Sequence, residues 1–262
     1  RGKRTRMVKG KSVSIKVPAD AEFILEGTVH LTELRMEGPF GDHFGHYSHA
    51  SKFPVFHINK VTHRKNPIYP ATVVGRPPME DKYLGNATQQ VLGPLIRLIH
   101  PEICNLWAYY EAGFHNLLVV SVEERYQKEA MKTALSIMGE GQLSLTKCIV
   151  TVSENVNPRD FNAVLTAIRE NFDPTYDFIM IPKVPLDTLD FTSYKMNLGS
   201  KMIMDATRSR NADKEKASKS EIDRLIKTID NRISDWNLLG ETLLVVSVQD
   251  NGRDVVNKLT KS

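Results

Sequence analysis

The segment from residue 37 to residue 47 reads EGPFGDHFGHY and carries two carboxylates five positions apart, Glu37 and Asp42. A strand would point these side chains to opposite faces, and a helix would separate them by about 140°. The intervening Gly-Pro-Phe-Gly permits a tight or left-handed backbone, so a loop could aim both carboxylates into one cavity. Two converging carboxylates push their pKa values apart, leaving one ionised and one able to donate a proton near neutrality. A surface turn with two solvated acids is the commoner use of such spacing, and the pattern alone leaves both interpretations open.

Three histidines follow at intervals of three residues: His43, His46 and His49. Histidines at this spacing can ligate a metal when they share one face of a helix. The glycines at positions 41 and 45 disfavour a helix here, so we predict no metal site. His43 is expected to face a cavity, with the other two in structural roles. A hydrolase using the three histidines with a metal is a distant alternative.

A second unusual segment, THRKNPIYPATVVGRPPMED, spans residues 62–81. Its basic side chains flank proline-rich turns and could hold an anionic group; solvated loops are the alternative. These basic residues are His63, Arg64, Lys65 and Arg76. The chain has no glycine-rich dinucleotide motif in a strand–turn–helix context, no Walker A motif, no GxSxG and no CxxC pair, so nucleotide-binding and acyl-transfer functions lack support.

The composition is that of a soluble globular protein, with 41% apolar and 25% charged residues among 262. No run approaches the length of a membrane span, and no secretory segment opens the sequence. Cys104 and Cys148 lie in apolar surroundings, which indicates reduced thiols and a cytoplasmic protein. The net charge of +4 comes largely from the basic first residues, which lack the features of a nucleic-acid-binding module. Because the sequence starts with Arg1 and not methionine, we expect part of a longer protein.

Hydrophobic alternation predicts that the first 75 or so residues are all-β, in a barrel or a bent sheet. From near residue 80, strand and helix patterns alternate, which predicts an α/β layer domain with a largely parallel sheet. The predicted strands are 11–17, 22–36, 53–64, 69–75, 114–122, 147–152, 177–182 and 241–248, and the predicted helices 81–100, 123–138, 159–171 and 220–236. Asn157-Pro158 is expected to start the third helix, and the last helix to pack on the domain or on a partner subunit.

Five stretches carry a resemblance to a known family: VPADAEFILEG (17–27), EGPFGDHFGHY (37–47), THRKNPIYPATVVGRPPMED (62–81), NPRDFNAVLTAI (157–168) and LDFTSYKMNLGSKMIMDAT (189–207). Together they resemble the UbiD family of decarboxylases, the 3-polyprenyl-4-hydroxybenzoate carboxy-lyase type that uses prenylated FMN. They run in the family's order over nearly the whole chain, and their combination is highly specific. GRPPMED and GQLSLTK (141–147) are also similar to the branch that decarboxylates a dihydroxynaphthoate in menaquinone biosynthesis.

The resemblance implies an α+β and α/β architecture in three parts. Residues 1–80 would form the C-terminal half of a split β-barrel that binds prenylated FMN. Residues 81–210 would form an α/β C-terminal domain, and residues 211–262 a linker, an oligomerisation helix and a terminal strand and helix. This division agrees with the change of pattern near residue 80.

The resemblance also implies the roles of individual residues. Glu37 would belong to a Glu–Arg–Glu network, and Asp42 would be the general acid whose proton replaces CO2. The remaining positions are His43, Leu189 and Phe191 on the substrate side and Leu84 near the flavin. The catalytic arginine, and the ligands for the manganese and potassium that hold the cofactor phosphate, would lie upstream of Arg1.

The implied reaction is the non-oxidative decarboxylation of an aromatic or α,β-unsaturated acid, of the polyprenyl-hydroxybenzoate or dihydroxynaphthoate type used in quinone biosynthesis. The modified flavin would take up the electrons left as CO2 departs. The implied partners are the substrate acid, other subunits in a homodimer or homohexamer, and the prenyltransferase that makes the cofactor, with no nucleic acid. The chain alone is expected to be inactive; the alternative is a non-catalytic assembly module of such an enzyme.

Overall fold

A computed structural model describes residues 2–190, 193, 195–207 and 218–259. The chain divides into two compact units, residues 1–80 and residues 81–262. Each unit has its own strands and its own side-chain contacts, so each is described by itself.

The first unit is built from four strands in two antiparallel pairs. Strands β1 (Met7–Lys9) and β2 (Lys16–Pro18) form one pair, and strands β3 (Phe23–Glu37) and β4 (Ser51–His63) form a long hairpin. Among the described residues of this unit the strands form these two separate sheets and no closed barrel.

The β3–β4 hairpin bends where its register shifts. One shift lies between Glu26 and Gly27 and another between Val29 and Leu34. A side chain at position 27 is sterically impossible, because its Cβ would lie 1.9 Å from the His57 carbonyl oxygen. Such irregularities increase the local twist and bend of a strand pair.

The second unit is centred on a five-stranded sheet. Its strands are β5 (Ile103–Ala108), β6 (Leu117–Val122), β7 (Cys148–Ser153), β8 (Phe178–Pro185) and β9 (Leu198–Ala206), in the order β5-β6-β7-β9-β8. The central pairs β6–β7 and β7–β9 are parallel, and the edge strands β5 and β8 pair antiparallel with their neighbours. The sheet is therefore mixed, and only its centre is parallel as predicted.

Helices cover both faces of this sheet, which explains why its central strands β6 and β7 are mostly apolar on both faces. In β6, Leu118, Val120 and Val122 lie in the core on the α2 side, whereas Val119 lies in the core on the α3 side. This alternation follows from the period of two along a strand. The helices are α1 (Glu80–Ile99), α2 (Glu129–Ile137) and α3 (Phe161–Asn171), with short 3-10 turns at Tyr110–Ala112 and Gly141–Leu145. Full burial of each such aliphatic side chain stabilises the fold by about 1.5–3 kcal/mol.

The end of the chain forms a small helix–hairpin–helix arrangement within the second unit. It comprises α4 (Lys219–Ile229), β10 (Ile233–Leu239), β11 (Leu243–Val248) and α5 (Gly252–Leu259). Ile226 of α4 and Val255 of α5 are buried, whereas β10 and β11 pair only with each other in the described part of the chain.

Two predicted elements begin later than expected. Only the last residues of the predicted strand 11–17 pair, in β2, because the N–H groups of Lys11, Ser12 and Val13 donate to Glu26 instead. The predicted helix 123–138 begins at Glu129 as α2, because Lys128 has φ of +65°, a left-handed conformation outside a helix.

Three further predicted elements differ from the structure. The predicted strand at 69–75 is absent, since Pro70 cannot donate to a ladder and the segment is held instead by contacts to Met79 and Glu80. The predicted helix 220–236 ends at Ile229, because the Asp230 carboxylate accepts the backbone N–H of Arg232 and turns the chain into β10.

The third difference concerns where α3 begins. The predicted start at Asn157-Pro158 is wrong, because Asp160 is the N-cap and its side chain accepts the backbone N–H groups of Asn162 and Ala163. Strands β5 and β9 lie where the pattern predicts no element. The predicted helix 81–100 is present as α1, which continues through Pro94.

Candidate functional site

The EGPFGDHFGHY segment continues the β3–β4 hairpin beyond its ladder. Glu37 pairs with Ser51 at the end of β3, and an isolated bridge joins Gly41 to Tyr47. At the tip, the Asp42 N–H donates to the His46 carbonyl at 2.8 Å, and the Gly45 N–H donates to the Asp42 carbonyl at 2.8 Å. The segment is therefore a hydrogen-bonded hairpin tip, with Glu37 at its base and Asp42 at its turn.

Two glycines make this tip possible. Gly38 has φ of +85° and precedes a cis peptide to Pro39, and Gly45 has φ of +83°. Side chains other than glycine rarely adopt this region. A Cβ on Gly45 would also lie 3.0 Å from the backbone nitrogen of Arg76. The two unusual segments of the sequence, 37–47 and 62–81, thus pack directly against each other.

The catalytic candidates in the tip are half-buried or exposed. Asp42 is half-buried, and its Oδ1 accepts the backbone N–H of His43 at 2.7 Å. His43 is also half-buried and meets the Phe44 ring edge-on, with the ring centroids 5.0 Å apart. Glu37 is exposed. Phe40 is 47% exposed, so it gives Asp42 little shelter from water.

The basic residues of segment 62–81 do not form one cluster. The Arg64 guanidinium donates to Glu22 at 2.7 Å, and the Ile68 N–H donates to the same carboxylate at 3.0 Å. The Ile68 N–H, and after it Arg64, hold the pKa of Glu22 below its ordinary value. Arg64 is thus committed to a structural ion pair, and Arg76 is the basic residue of this segment that contacts the hairpin tip.

Two other candidates lie in the second unit. Leu84 is on the first turns of α1 and is 66% exposed. Leu189 is half-buried in a turn that follows β8, and Phe191 lies outside the described residues. The structure therefore groups Glu37, Asp42 and His43 on one hairpin and places Leu84 and Leu189 on separate elements.

A pair of anchored carboxylates next to Leu189 was not predicted from the sequence. The Asp187 carboxylate accepts a hydrogen bond from the ring Nδ1 of His115. The Asp190 carboxylate accepts one from the Lys147 ammonium at 2.8 Å. These partners are 72 and 43 residues apart in the sequence, so no local pattern indicates them. The only available signal was the Asp-x-x-Asp spacing ahead of the LDFTSYK stretch.

Metal ligands and membrane spans were also sought in the described part of the chain. No group of three or more His, Cys, Asp or Glu side chains there could hold a metal ion, and this includes the three histidines of the hairpin tip. None of the helices described is long and apolar enough to cross a membrane.

The boundary between the two structural units coincides with the boundary between two matches to known domains. Residues 1–77 match the Rift-related domain of 3-octaprenyl-4-hydroxybenzoate carboxy-lyase, and residues 82–206 match the C-terminal domain of the same family. The chain therefore belongs to the UbiD family of decarboxylases, which confirms the resemblance; its proposed menaquinone branch stays a prediction.

Particular relatives support this assignment. Over 184 residues the chain is 50% identical to a 4-hydroxybenzoate decarboxylase polypeptide of Chlamydia pneumoniae, covering 70% of this chain and 32% of the relative. Vanillic acid decarboxylase of Sedimentibacter hydroxybenzoicus in its closed form is 27% identical with a TM-score of 0.72, covering 85% of this chain and 49% of that one. The UbiD-class enzyme HmfF of Pelotomaculum thermopropionicum, in complex with FMN, is 26% identical with a TM-score of 0.67.

The match to HmfF covers 86% of this chain and 50% of HmfF. The chain thus spans about half the length of these solved structures, and about a third of the Chlamydia relative. They establish its mixed α/β fold.

Proposed function

We propose that this chain supplies the proton-donating half of a prenylated-FMN-dependent decarboxylase. The substrate is an aromatic or α,β-unsaturated carboxylic acid, of the polyprenyl-hydroxybenzoate or dihydroxynaphthoate type. The observation that carries the proposal is the packing of Arg76 against Gly45, which holds the second family segment against the hairpin tip that bears Asp42.

Asp42 is assigned the proton transfer. Its Oδ1 is occupied by the His43 N–H, so the transferable proton is assigned to Oδ2. Since an ordinary aspartic acid has a pKa of about 3.9, an acid acting near neutral pH must lose water or gain a carboxylate neighbour when substrate binds. Phe44 and the substrate ring supply that apolar cover, and the proton goes to the carbon that has lost CO2.

The residues of this chain fit the substrate and flavin side of a cofactor site. The candidates are a carboxylic acid, an imidazole and aliphatic side chains, and the described residues contain no metal-binding group. When bound, prenylated FMN would take up the electron pair released with CO2. Leu84 would pack against it, and Glu37 would orient an arginine supplied from outside this sequence. Manganese, potassium and the cofactor phosphate are likewise assigned to residues outside it, in line with the split β-barrel expected for the complete binding domain.

The test uses the complete, cofactor-loaded enzyme and a panel of the acids named above, with CO2 release as the measurement. Asp42→Asn is expected to lower kcat/KM by about 100-fold or more, because it removes the general acid while leaving an acceptor for the His43 N–H. Asp20→Asn is the matched control, since Asp20 is an exposed acid in the same unit that pairs with Arg6. Full turnover by Asp42→Asn with a native fold would show that the proton-donor assignment is wrong.

A further inference from the structure

The turn formed by residues 186–190 is tied to the sheet at two points. At the first point, the Asp187 carboxylate accepts a hydrogen bond from the His115 ring. At the second, the Asp190 carboxylate accepts a hydrogen bond from Lys147 Nζ at 2.8 Å. Because a carboxylate only accepts, the His115 Nδ1 carries the proton in this contact. Ser193 Oγ adds a second bond to Asp190 at 2.6 Å.

The two basic residues that anchor the turn, His115 and Lys147, lie at the starts of the central strands. His115 lies two residues before β6, and Lys147 lies immediately before β7, whose following residues are buried in the core. The Lys147 N–H donates to the His115 carbonyl at 2.7 Å, so the two anchors are also joined to each other. Their positions are therefore set by the parallel strand pair and do not depend on the turn itself.

Asp187 is also hydrogen-bonded to the backbone on either side of Leu189, and it thereby links that backbone to His115. Its Oδ1 accepts the Leu189 N–H at 3.0 Å, and its carbonyl accepts the Asp190 N–H at 3.1 Å. The Asp187 side chain is only 13% exposed. Burial alone would raise the pKa of Asp187, but the Leu189 N–H and the His115 ring outweigh it and lower that pKa, so the group is a carboxylate.

We infer that His115 is a positioning residue: acting through Asp187, it fixes the turn that presents Leu189 to the substrate acid. The inference rests on the proposed function, because the role of Leu189 comes from it. His115 itself makes no contact with the reacting atoms in this assignment. Its loss should weaken substrate binding, while the proton transfer by Asp42 continues.

The first measurement is hydrogen exchange on the 262-residue chain, which needs neither cofactor nor turnover. His115→Leu is expected to speed exchange of the Leu189 amide by about tenfold, the equivalent of losing one net hydrogen bond. His115→Asn keeps a donor at the position of Nδ1, so its Leu189 amide should exchange at close to the rate in the unmodified protein. The strand amides of β6 and β7 serve as internal references.

His100→Leu is the matched control. His100 lies in the same unit, is more deeply buried, and pairs with the Glu140 carboxylate at 2.7 Å through its Nε2. If general destabilisation loosened the turn, this variant would loosen it too. Equal exchange at Leu189 in both leucine variants, or no change in His115→Leu, overturns the inference.

The second measurement uses the complete loaded enzyme on the acid that it decarboxylates. His115→Leu should raise KM by about tenfold with kcat within about twofold, and His115→Asn should restore KM. A loosened turn with unchanged KM overturns the positioning role. An unmodified enzyme that decarboxylates none of the acids instead refutes the proposed function, and that result is distinct because it appears before any variant is made.

Discussion

At the scale of single residues, this chain repeatedly uses carboxylates to fix backbone. Glu26 is 3% exposed, and it accepts the N–H groups of Lys11, Ser12 and Val13 at 2.8, 2.6 and 3.1 Å. Asp187 and Asp42 bind backbone N–H groups in the same way. Each carboxylate loses some or all of its water, and the backbone donors replace it. Asp42 differs in our proposal, since it keeps one oxygen for chemistry.

Glu26 leads to a prediction about pH. The Lys11 N–H, followed by that of Ser12, lowers the pKa of Glu26 to about 2 from 4.5. A lowered folded-state pKa stabilises the fold fully above the unfolded-state value and loses that effect as pH falls through the folded-state value. Glu26→Gln should therefore lower the urea midpoint at pH 7, and the deficit should shrink between pH 4.5 and pH 2.

The control is Asp20→Asn, which removes the same charge from an exposed pair with Arg6 in the same unit, where an ion pair contributes little to stability. Its urea midpoint should stay near that of the unmodified chain across the range. A Glu26→Gln deficit that is the same at pH 7 and pH 2 would contradict the role given to the carboxylate charge.

At the scale of elements, capping side chains set the starts of α3 and α4, where the apolar pattern alone does not. Helix α4 begins with a capping box, in which Ser218 Oγ accepts the Glu221 N–H and Glu221 accepts the Ser218 N–H at 2.7 Å. Its last residue is Ile229 and its C-cap is Asp230, although the apolar stripe continues to Ile233. Polar side chains that compete for backbone groups can thus stop a helix that its apolar pattern would extend.

Ser218→Ala should destabilise α4 by about 1 kcal/mol, because one end of the capping box is lost. Amide exchange in residues 222–229 measures this directly, and those amides should exchange faster in the variant. Lys219→Ala is the control, since Lys219 is exposed in the first turn and alanine is well tolerated there. Equal exchange in the two variants would count against the capping box.

At the scale of the whole molecule, large apolar side chains are exposed in both units. In the hairpin of the first unit they include Leu31, at 95% exposed, and in the second unit Leu98 of α1, at 80%. Apolar patches on this scale mark contact surfaces. They are consistent with an enzyme whose site needs further polypeptide, and equally with the alternative of an assembly module.

A flavin titration of the 262-residue chain distinguishes these possibilities. We expect no stoichiometric, tight FMN binding by the chain alone, because the phosphate and metal ligands are assigned elsewhere. Fluorescence quenching measures binding, and light scattering on the same sample measures the number of subunits. Tight binding at one flavin per chain would contradict that assignment. Self-association of this chain, with no effect of Asp42→Asn on the complete enzyme, would favour the assembly module.

Much of the local structure could be predicted from the sequence, because it depends on neighbours along the chain. The long strands at 23–37 and 51–63, the central strands β6 and β7 and the existence of helices α1 to α4 all follow from apolar periodicity, whereas the central strand β9 was not predicted. The family segments similarly identified Glu37 and Asp42 as candidates. These features need only residues within a few positions of one another.

Only the tertiary structure decided which distant groups meet. It brought Arg76 onto Gly45, His115 onto Asp187, and β9 between β7 and β8. It also made the edge strands antiparallel, which the strand–helix alternation did not indicate. The physical reason is that such contacts depend on how whole elements pack, and a packing partner many residues away leaves no periodic trace in the local sequence. The acid of the hairpin tip could thus be identified from the sequence, whereas the packing of Arg76 on Gly45 and the contact of His115 with Asp187 could be identified only from the fold.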